Sequence, residues 1–233
     1  MNARRAGAGW PDEDPATGFL ATLDRSQLAS LHDRGVTRRF RRGQAIFHEG
    51  GSSDRVVILL AGRVKVSTVT EEGREVVLAF RGPGDMLGEL SAIDGEPRSA
   101  TVEAVEAVEA LAVAAQDFRS FLVANPDVAL QLLQMLSRRL RDADRKRVEY
   151  AAHDTVGRVA ARLVELAERY GEPVGRGLRI GLPLSQEELA GWVGGSREAV
   201  SKALQTLRKV GWVVTERRRI TVLDIEALRR RSA

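Results

Sequence analysis

The 233-residue sequence predicts an α+β chain: an N-terminal antiparallel β-roll, a long helix, and a C-terminal pair of short helices followed by a β-hairpin wing. Three observations carry this. Short apolar runs separated by glycines fill residues 37–113, and many short strands with glycine turns fold as a sandwich or roll. Apolar residues at 129, 133, 136, 140 and 143 then alternate steps of four and three, the spacing of a two-stranded coiled-coil seam. Finally, Gly194-Gly195 separates two segments that each open on a capping serine, Ser185 and Ser196, which is the layout of a helix-turn-helix.

The elements follow in chain order. Residues 1–18, around the solitary Trp10, show no periodicity and read as a tail. Asp24 or Ser26 caps a short helix carrying Leu28 and Leu31. Strands are expected at Ala45–Phe47, Val56–Leu60, Val64–Val69, Val76–Phe80, Ala100–Val105 and Ala110–Ala114, with glycines at 43, 50, 51, 62, 73, 82 and 84 turning the chain. Asn125 and Pro126 then suit the cap and first turn of the long helix. Running to about residue 152, it spans roughly 40 Å. So long a helix beside a small roll is expected to pair with a twin in a two-fold homodimer. Past His153 come an amphipathic helix at Val156–Arg169, a break at Tyr170–Gly177 and a strand at Leu178–Leu182. The wing strands are Gly211–Val214 and Arg219–Leu223, with Arg217, Arg218 and Arg219 at their turn. The division is therefore a tail (1–18), a β-roll (19–124), a dimerisation helix (125–152) and a winged helix-turn-helix domain (153–233).

Composition narrows the chemistry. The absence of cysteine excludes disulfides and thiol nucleophiles, and three scattered histidines, His32, His48 and His153, argue against a metal site. No run approaches the ~20 apolar residues of a membrane span, and no signal-like segment opens the chain, so a cytoplasmic protein is expected. The net charge of +4 is uneven. Residues 153–233 carry 15 Lys/Arg against 10 Asp/Glu, so the basic character sits at the carboxyl end, where a polyanion such as nucleic acid would be drawn.

Residues 87–102, Leu-Gly-Glu-Leu-Ser-Ala-Ile-Asp-Gly-Glu-Pro-Arg-Ser-Ala-Thr-Val, set a carboxylate and a guanidinium around a glycine-marked excursion between two apolar runs. Glu89 can accept two hydroxyl hydrogen bonds, and Arg98 offers a planar fork of donors to phosphate oxygens. Together they suit a sugar phosphate. Gly88 admits close backbone approach, while Ser99 and Ala100 are small enough to present main-chain N–H groups to an anion. A lone Glu and Arg at this spacing would more simply be a surface ion pair; the full string favours a pocket. It resembles the phosphate-binding cassette of cyclic-nucleotide-binding domains, whose pattern is Gly-Glu-Leu, a short helix and loop, then Arg-Ser/Thr/Ala-Ala-x-Val. The resemblance assigns the ribose 2′-hydroxyl to Glu89 and the cyclic phosphate to Arg98, with Gly88, Leu90, Ser99 and Ala100 shaping the loop.

The segment from 184 to 210 carries the second signal. Ser185 and Glu188 form a capping-box pattern, and Ser196 caps the second helix. At about 100° per residue from Arg197, Ala199, Val200, Ala203, Leu204 and Leu207 share one arc, leaving Arg197, Glu198, Ser201 and Lys202 on the other. First-turn residues of a second helix meet base edges in the major groove. Arg and Lys suit guanine and Glu suits cytosine, so a G·C-containing half-site is expected. Glu198 and Lys202 could instead form a solvent-side pair of about 0.3 kcal/mol, which leaves Arg197 and the basic domain unexplained. The wing arginines would set register through phosphates.

From about residue 20 onward the chain resembles the cyclic-AMP receptor protein (CRP/FNR) family of bacterial transcription regulators. Asn125-Pro126-Asp127, Asp154-Thr155-Val156-Gly157-Arg158 and Ser196-Arg197-Glu198-Ala199-Val200 carry the likeness. It implies a homodimeric, non-catalytic regulator of two-fold-related DNA sites, gated by cyclic AMP or possible cyclic GMP, with RNA polymerase as a partner and no membrane or metal. The expected DNA contacts are Gln186, Ser196, Arg197, Glu198, Ser201, Lys202, Arg217 and Arg218. Lys202 stands where several members have Arg, which makes a single rather than bidentate guanine contact the expectation. Members that sense cyclic AMP carry Thr and Ser or Asn where this chain has Ala143 and Asp144. Asp144 only accepts hydrogen bonds, so an adenine amino group and the N1–H and N2–H₂ of guanine are equally open to it. An equally simple reading pairs Asp144 with Lys146 or Arg141. Two other classes remain: a receptor subunit acting on a protein partner, and a family member whose DNA binding no longer depends on a nucleotide.

Overall fold

The computed structural model describes residues 18–52, 54–182, 185–216 and 219–232. Trp10 and most of the expected tail, and Arg217 and Arg218 of the expected wing turn, lie outside the described residues. Contacts divide the chain into two compact units, Met1–Lys65 with Phe80–Leu136, and Val66–Ala79 with Ser137–Ala233.

In the first unit, α1 (Arg25–Asp33) starts at Asp24. The Asp24 carboxylate accepts from the Gln27 amide at 2.8 Å, and Gln27 Oε1 accepts from the Asp24 amide at 3.0 Å. These two bonds satisfy donors that a helix start leaves unpaired. Strands β1 (Gly35–Phe40), β2 (Ala45–Phe47), β3 (Arg55–Ala61), β4 (Val64–Val69), β5 (Glu75–Arg81) and β6 (Met86–Leu87) lead to α2 (Glu89–Asp94), and β7 (Thr101–Ala104) and β8 (Val108–Ala114) follow it. They form two four-stranded sheets, ordered β1-β8-β3-β6 and β2-β7-β4-β5, in an antiparallel roll. Strand β3 shows why a roll forms: Val56 and Ile58 point to one face, Val57 and Leu59 to the other, and all four are buried. Covering both faces takes a second layer on each side.

Helix α3 (Ala115–Ala124) continues straight from β8, and after Asn125 the chain enters α4 (Pro126–Ala152). Phe118 and Phe121 of α3 and Val128 and Leu132 of α4 join Val56, Ile58, Leu111 and Val113 in one cluster, with Phe19 edge-on to Phe118 at 6.4 Å. Met135 and Leu136 pack against the same cluster. At about 100° per residue these α4 positions occupy one arc of the helix. Leu130, Leu133 and Leu140 lie on another arc and are 57%, 60% and 64% exposed.

The second unit takes α4 from Ser137 onward, then α5 (Thr155–Tyr170), β9 (Gly171–Val174), β10 (Gly177–Ile180), α6 (Gln186–Val193), α7 (Arg197–Lys209), β11 (Val213–Glu216), β12 (Arg219–Val222) and α8 (Ile225–Arg231). Its antiparallel sheet runs β11-β12-β10-β9. Asp154 caps α5 by accepting from the Gly157 amide at 2.8 Å, and both its oxygens accept from Arg231 of α8 at 2.6 Å. The Tyr150 hydroxyl donates to the Trp192 carbonyl at 2.5 Å, while buried Arg162 pairs with Glu149 and Glu165. The end of α4 is thereby tied to α5 and α6. Most of β4 and β5, Val66–Ala79, belongs to this unit as well: a Cβ on Gly191 would stand 2.7 Å from the Glu75 carbonyl oxygen, so α6 and β5 meet backbone to backbone there.

Several elements differ from expectation. The stretch read as a break at 170–177 contains β9, paired with β10 from Gly171↔Ile180 to Val174↔Gly177, and the strand expected through Leu182 ends at Ile180. Strands β1 and β6 and helices α3 and α8 are further additions.

Candidate functional site

The cassette residues occupy one turn of backbone and one buried side chain. Gly88 sits in the left-handed region at φ 77° and is the N-cap of α2. A Cβ there would collide with Arg98 Nη1 and lie 3.1 Å from the Phe47 ring, so the position is closed to any side chain. Arg98 is 4% exposed. Its guanidinium stacks on Phe47 at 3.9 Å and donates to the Gly88 carbonyl at 3.1 Å, the Arg55 carbonyl at 2.6 Å and Asp54 Oδ1 at 3.4 Å. Its Nε is buried with no hydrogen-bond partner among the described residues. Burial lowers its pKa, partly offset by the Asp54 carboxylate, and an arginine remains a cation at neutral pH regardless. Glu89, 4% exposed on the first turn of α2, is close enough to contribute to the potential at Arg98.

The surrounding loop is held by backbone pairing. Gly50 N–H donates to the Arg98 carbonyl at 2.8 Å and Arg98 N–H to the Gly51 carbonyl at 3.0 Å. Helix α2 ends at left-handed Gly95, and Arg119 of α3 donates to the Ala92 carbonyl at 2.7 Å. Ser99 is exposed, Ala100 buried, and Leu90 46% exposed. Gly88, Glu89 and Arg98 are thus brought together. Phe47, Asp54 and Arg55 complete the set and were missed from sequence, since only the strand pairing carries them to a residue more than forty positions away. Ala143 and Asp144 lie exposed on α4, in the second unit. Lys146, one alternative partner for Asp144, pairs instead with Glu165 at 3.6 Å and donates to the Leu78 carbonyl at 3.4 Å.

The second candidate surface is built on α7. Ser185 Oγ accepts from the Glu188 amide at 3.1 Å and Glu188 Oε2 accepts from the Ser185 amide at 2.8 Å, the expected capping box of α6. Gly194 ends α6 at φ 62°, and Ser196 Oγ accepts from the Ala199 amide at 3.2 Å to open α7. Val200, Ala203, Leu204 and Leu207 are buried, whereas Arg197, Glu198, Ser201 and Lys202 are exposed. Glu198 folds back on the helix start: its own backbone N–H, then the Ser196 hydroxyl, hold its carboxyl below the usual range, so it is anionic at neutral pH. Gln186 and Ser196 are exposed, and Arg208 donates to Thr215 Oγ1 at 3.3 Å, joining α7 to β11.

Family comparison matches residues 37–125 to the cyclic nucleotide-binding domain and residues 157–231 to the Crp-like helix-turn-helix domain. A CRP-like cAMP-activated global transcriptional regulator from Mycobacterium tuberculosis is 37% identical over 92% of this chain and 96% of its own length. The cyclic AMP receptor protein of Thermus thermophilus is 36% identical over 76% of this chain and 78% of that protein. Among solved structures, a CRP-family transcriptional regulator, also from Thermus thermophilus, superposes with a TM-score of 0.72 at 26% identity, covering 84% of this chain and 96% of the other. No helix among the described residues is long and apolar enough to cross a membrane. With an antiparallel roll, a long helix and a helix-turn-helix in that order, the chain belongs to the CRP-like family of transcription regulators, built from a cyclic nucleotide-binding domain and a DNA-binding helix-turn-helix.

Proposed function

We propose that the chain acts as a homodimer on two-fold-related duplex DNA, with an affinity set by a cyclic nucleotide held at Gly88–Ala100. The observation that carries the reading is α7: a serine-capped helix that buries one arc and leaves Arg197, Glu198, Ser201 and Lys202 exposed, on the side that would enter a major groove. Gln186 and Ser196 at the starts of α6 and α7 would add phosphate contacts, as would Arg217 and Arg218, which lie outside the described residues. No catalytic step is assigned, and the protein would work in the cytoplasm, where its DNA and RNA polymerase are.

The nucleotide pocket is supported by the buried Arg98 guanidinium beside Glu89. A buried cation with an unpartnered Nε gains from an incoming phosphate, and Gly88, having no side chain, lets that guanidinium lie against its backbone. Glu89 would hold the ribose hydroxyl, Leu90, Ser99 and Ala100 the loop, and Ala143 and Asp144 the base edge. Cyclic AMP is the preferred ligand because two relatives named above are a cAMP-activated regulator and a cyclic AMP receptor; cyclic GMP is the alternative that Asp144, as an acceptor, admits. Gating requires the nucleotide to bind the DNA-competent arrangement more tightly than the other.

The test is a titration of cyclic AMP and cyclic GMP, each read by calorimetry and by affinity for a symmetric duplex library at fixed salt. Cyclic AMP should bind and raise duplex affinity, and Arg98→Ala should abolish both effects. Duplex binding that ignores either nucleotide would mark a member whose DNA binding is ungated. Nucleotide binding with no duplex binding would favour a receptor acting on a protein partner.

A further inference from the structure

Beyond the first two turns of α7, two polar side chains stand uncommitted on the exposed arc among the described residues, Gln205 and Lys209, and of these only Gln205 can both donate and accept. At about 100° per residue from Arg197, Gln205 falls at roughly 80°, between Ser201 at roughly 40° and Lys202 at roughly 140°. It is exposed. Two of its neighbours are occupied: the Thr206 hydroxyl donates back to the Lys202 carbonyl at 3.1 Å, and Arg208 is bound to Thr215. Gln205 makes no hydrogen bond through its side chain among the described residues. Helix α7 is rigidly set there by Leu204 and Leu207, both buried on the opposite arc.

We infer that Gln205 is a further base-reading residue, specific for adenine, at a step distinct from those read by Arg197 and Glu198. The inference rests on the DNA-binding reading of α7. A carboxamide offers one acceptor and one donor side by side, which matches the adenine N6 amino group and N7 in the major groove and no other base edge as well. Gln205 lies eight residues beyond Arg197, about 12 Å along the helix. At about 3.4 Å per base pair, this places its target up to about three to four steps from the Arg197 guanine. Each half-site would then combine a G·C element with a separate A·T pair, and the two-fold site would carry that pair twice.

The experiment is selection from a randomised symmetric duplex library by the full-length chain, with and without cyclic AMP, for wild type, Gln205→Ala, Gln205→Glu and Arg197→Ala. Wild type should prefer adenine at one symmetric pair of steps by on the order of tenfold. Gln205→Ala should erase that preference and leave the other steps intact. Gln205→Glu, which only accepts, should turn the same step towards cytosine. Arg197→Ala should alter a different step and keep the adenine. Either an unchanged profile in Gln205→Ala or an equal loss for all sequences overturns the inference, the latter by making Gln205 a backbone contact. Failure of wild type to select any sequence would overturn the DNA-reading proposal itself, and this inference with it.

Discussion

Gly88 is the residue on which the proposed nucleotide pocket turns. Its left-handed φ and the Arg98 guanidinium packed against it both exclude a side chain. Gly88→Ala is expected to cost about 1–2 kcal/mol of backbone strain. For a chain this size that is a fall of roughly 2–8 °C in melting temperature. The larger effect should be on ligand binding, because the new methyl group must displace Arg98: cyclic nucleotide affinity should fall at least about tenfold, read by calorimetry. Equal affinity in the variant would detach Gly88 from the pocket. Arg98→Lys tests the neighbouring group. It keeps the charge but loses the fork that reaches the Gly88 and Arg55 carbonyls together, so it should bind nucleotide as weakly as Arg98→Ala. At this scale the sequence was legible where chemistry and spacing are local. Glu89 and Arg98 stand nine residues apart with a glycine between, and they declare themselves. Phe47, Asp54 and Arg55 do not, because an ordinary apolar residue, an acid and a carbonyl gain meaning only once Gly50 and Gly51 pair with the Arg98 backbone.

The same contrast holds for whole elements. Those with chemical punctuation were readable: the Asp24, Ser185 and Ser196 caps, the Asn125-Pro126 start and the Gly194 stop all lie where a helix end requires them. Helix α3 has no side-chain cap and grows straight out of β8, so nothing in the alanine-rich sequence marks its start. Strand β1 is an edge strand bearing Arg38 and Arg39, with the polar look of a loop, and its pairing with β8 decides it. Helix α8 did carry a signal, Asp224 accepting from the Ala227 amide at 2.8 Å. The cap of α5 yields a pH prediction. The Gly157 amide, then Arg231, hold Asp154 below the usual carboxylate range. A lowered folded pKa means that its contribution is complete above the ordinary value of about 3.9 and disappears as pH falls through the folded value. Asp154→Ala should therefore lose about 1 kcal/mol at pH 7, measured by urea unfolding. The gap to wild type should stay constant down to about pH 3.9 and narrow only as the pH falls further, through the lowered folded value. A gap that stays constant there too would mean the loss is not carried by the charge.

For the molecule as a whole, α4 is the element that would join two copies in the proposed homodimer. Its buried arc is used by the first unit through Val128, Leu132, Met135 and Leu136, which takes Leu136 out of the simple seam that the four-three spacing suggested. What remains for a second copy is the arc of Leu130, Leu133 and Leu140, all more than half exposed. Burying a leucine is worth about 1.5–3 kcal/mol, so three on each of two helices supply enough to associate a pair. The consequence for DNA is one of effective concentration. In the proposed homodimer, once one α7 had bound, its twin would face the second half-site in the same complex, and linked binding would exceed either single affinity by about 10²–10⁴-fold. Leu133→Glu with Leu140→Glu should convert the protein to a folded monomer, shown by sedimentation together with an unchanged circular dichroism spectrum. That monomer should keep the weak affinity of wild type for an isolated half-site and lose the roughly 10²–10⁴-fold gain on the two-fold site. Cyclic nucleotide should still bind, since Gly88, Glu89 and Arg98 are untouched, but it should no longer change DNA affinity if the two states it chooses between are arrangements of a pair. A double variant that sediments as a dimer would place the interface on another face and remove α4 from the coupling path.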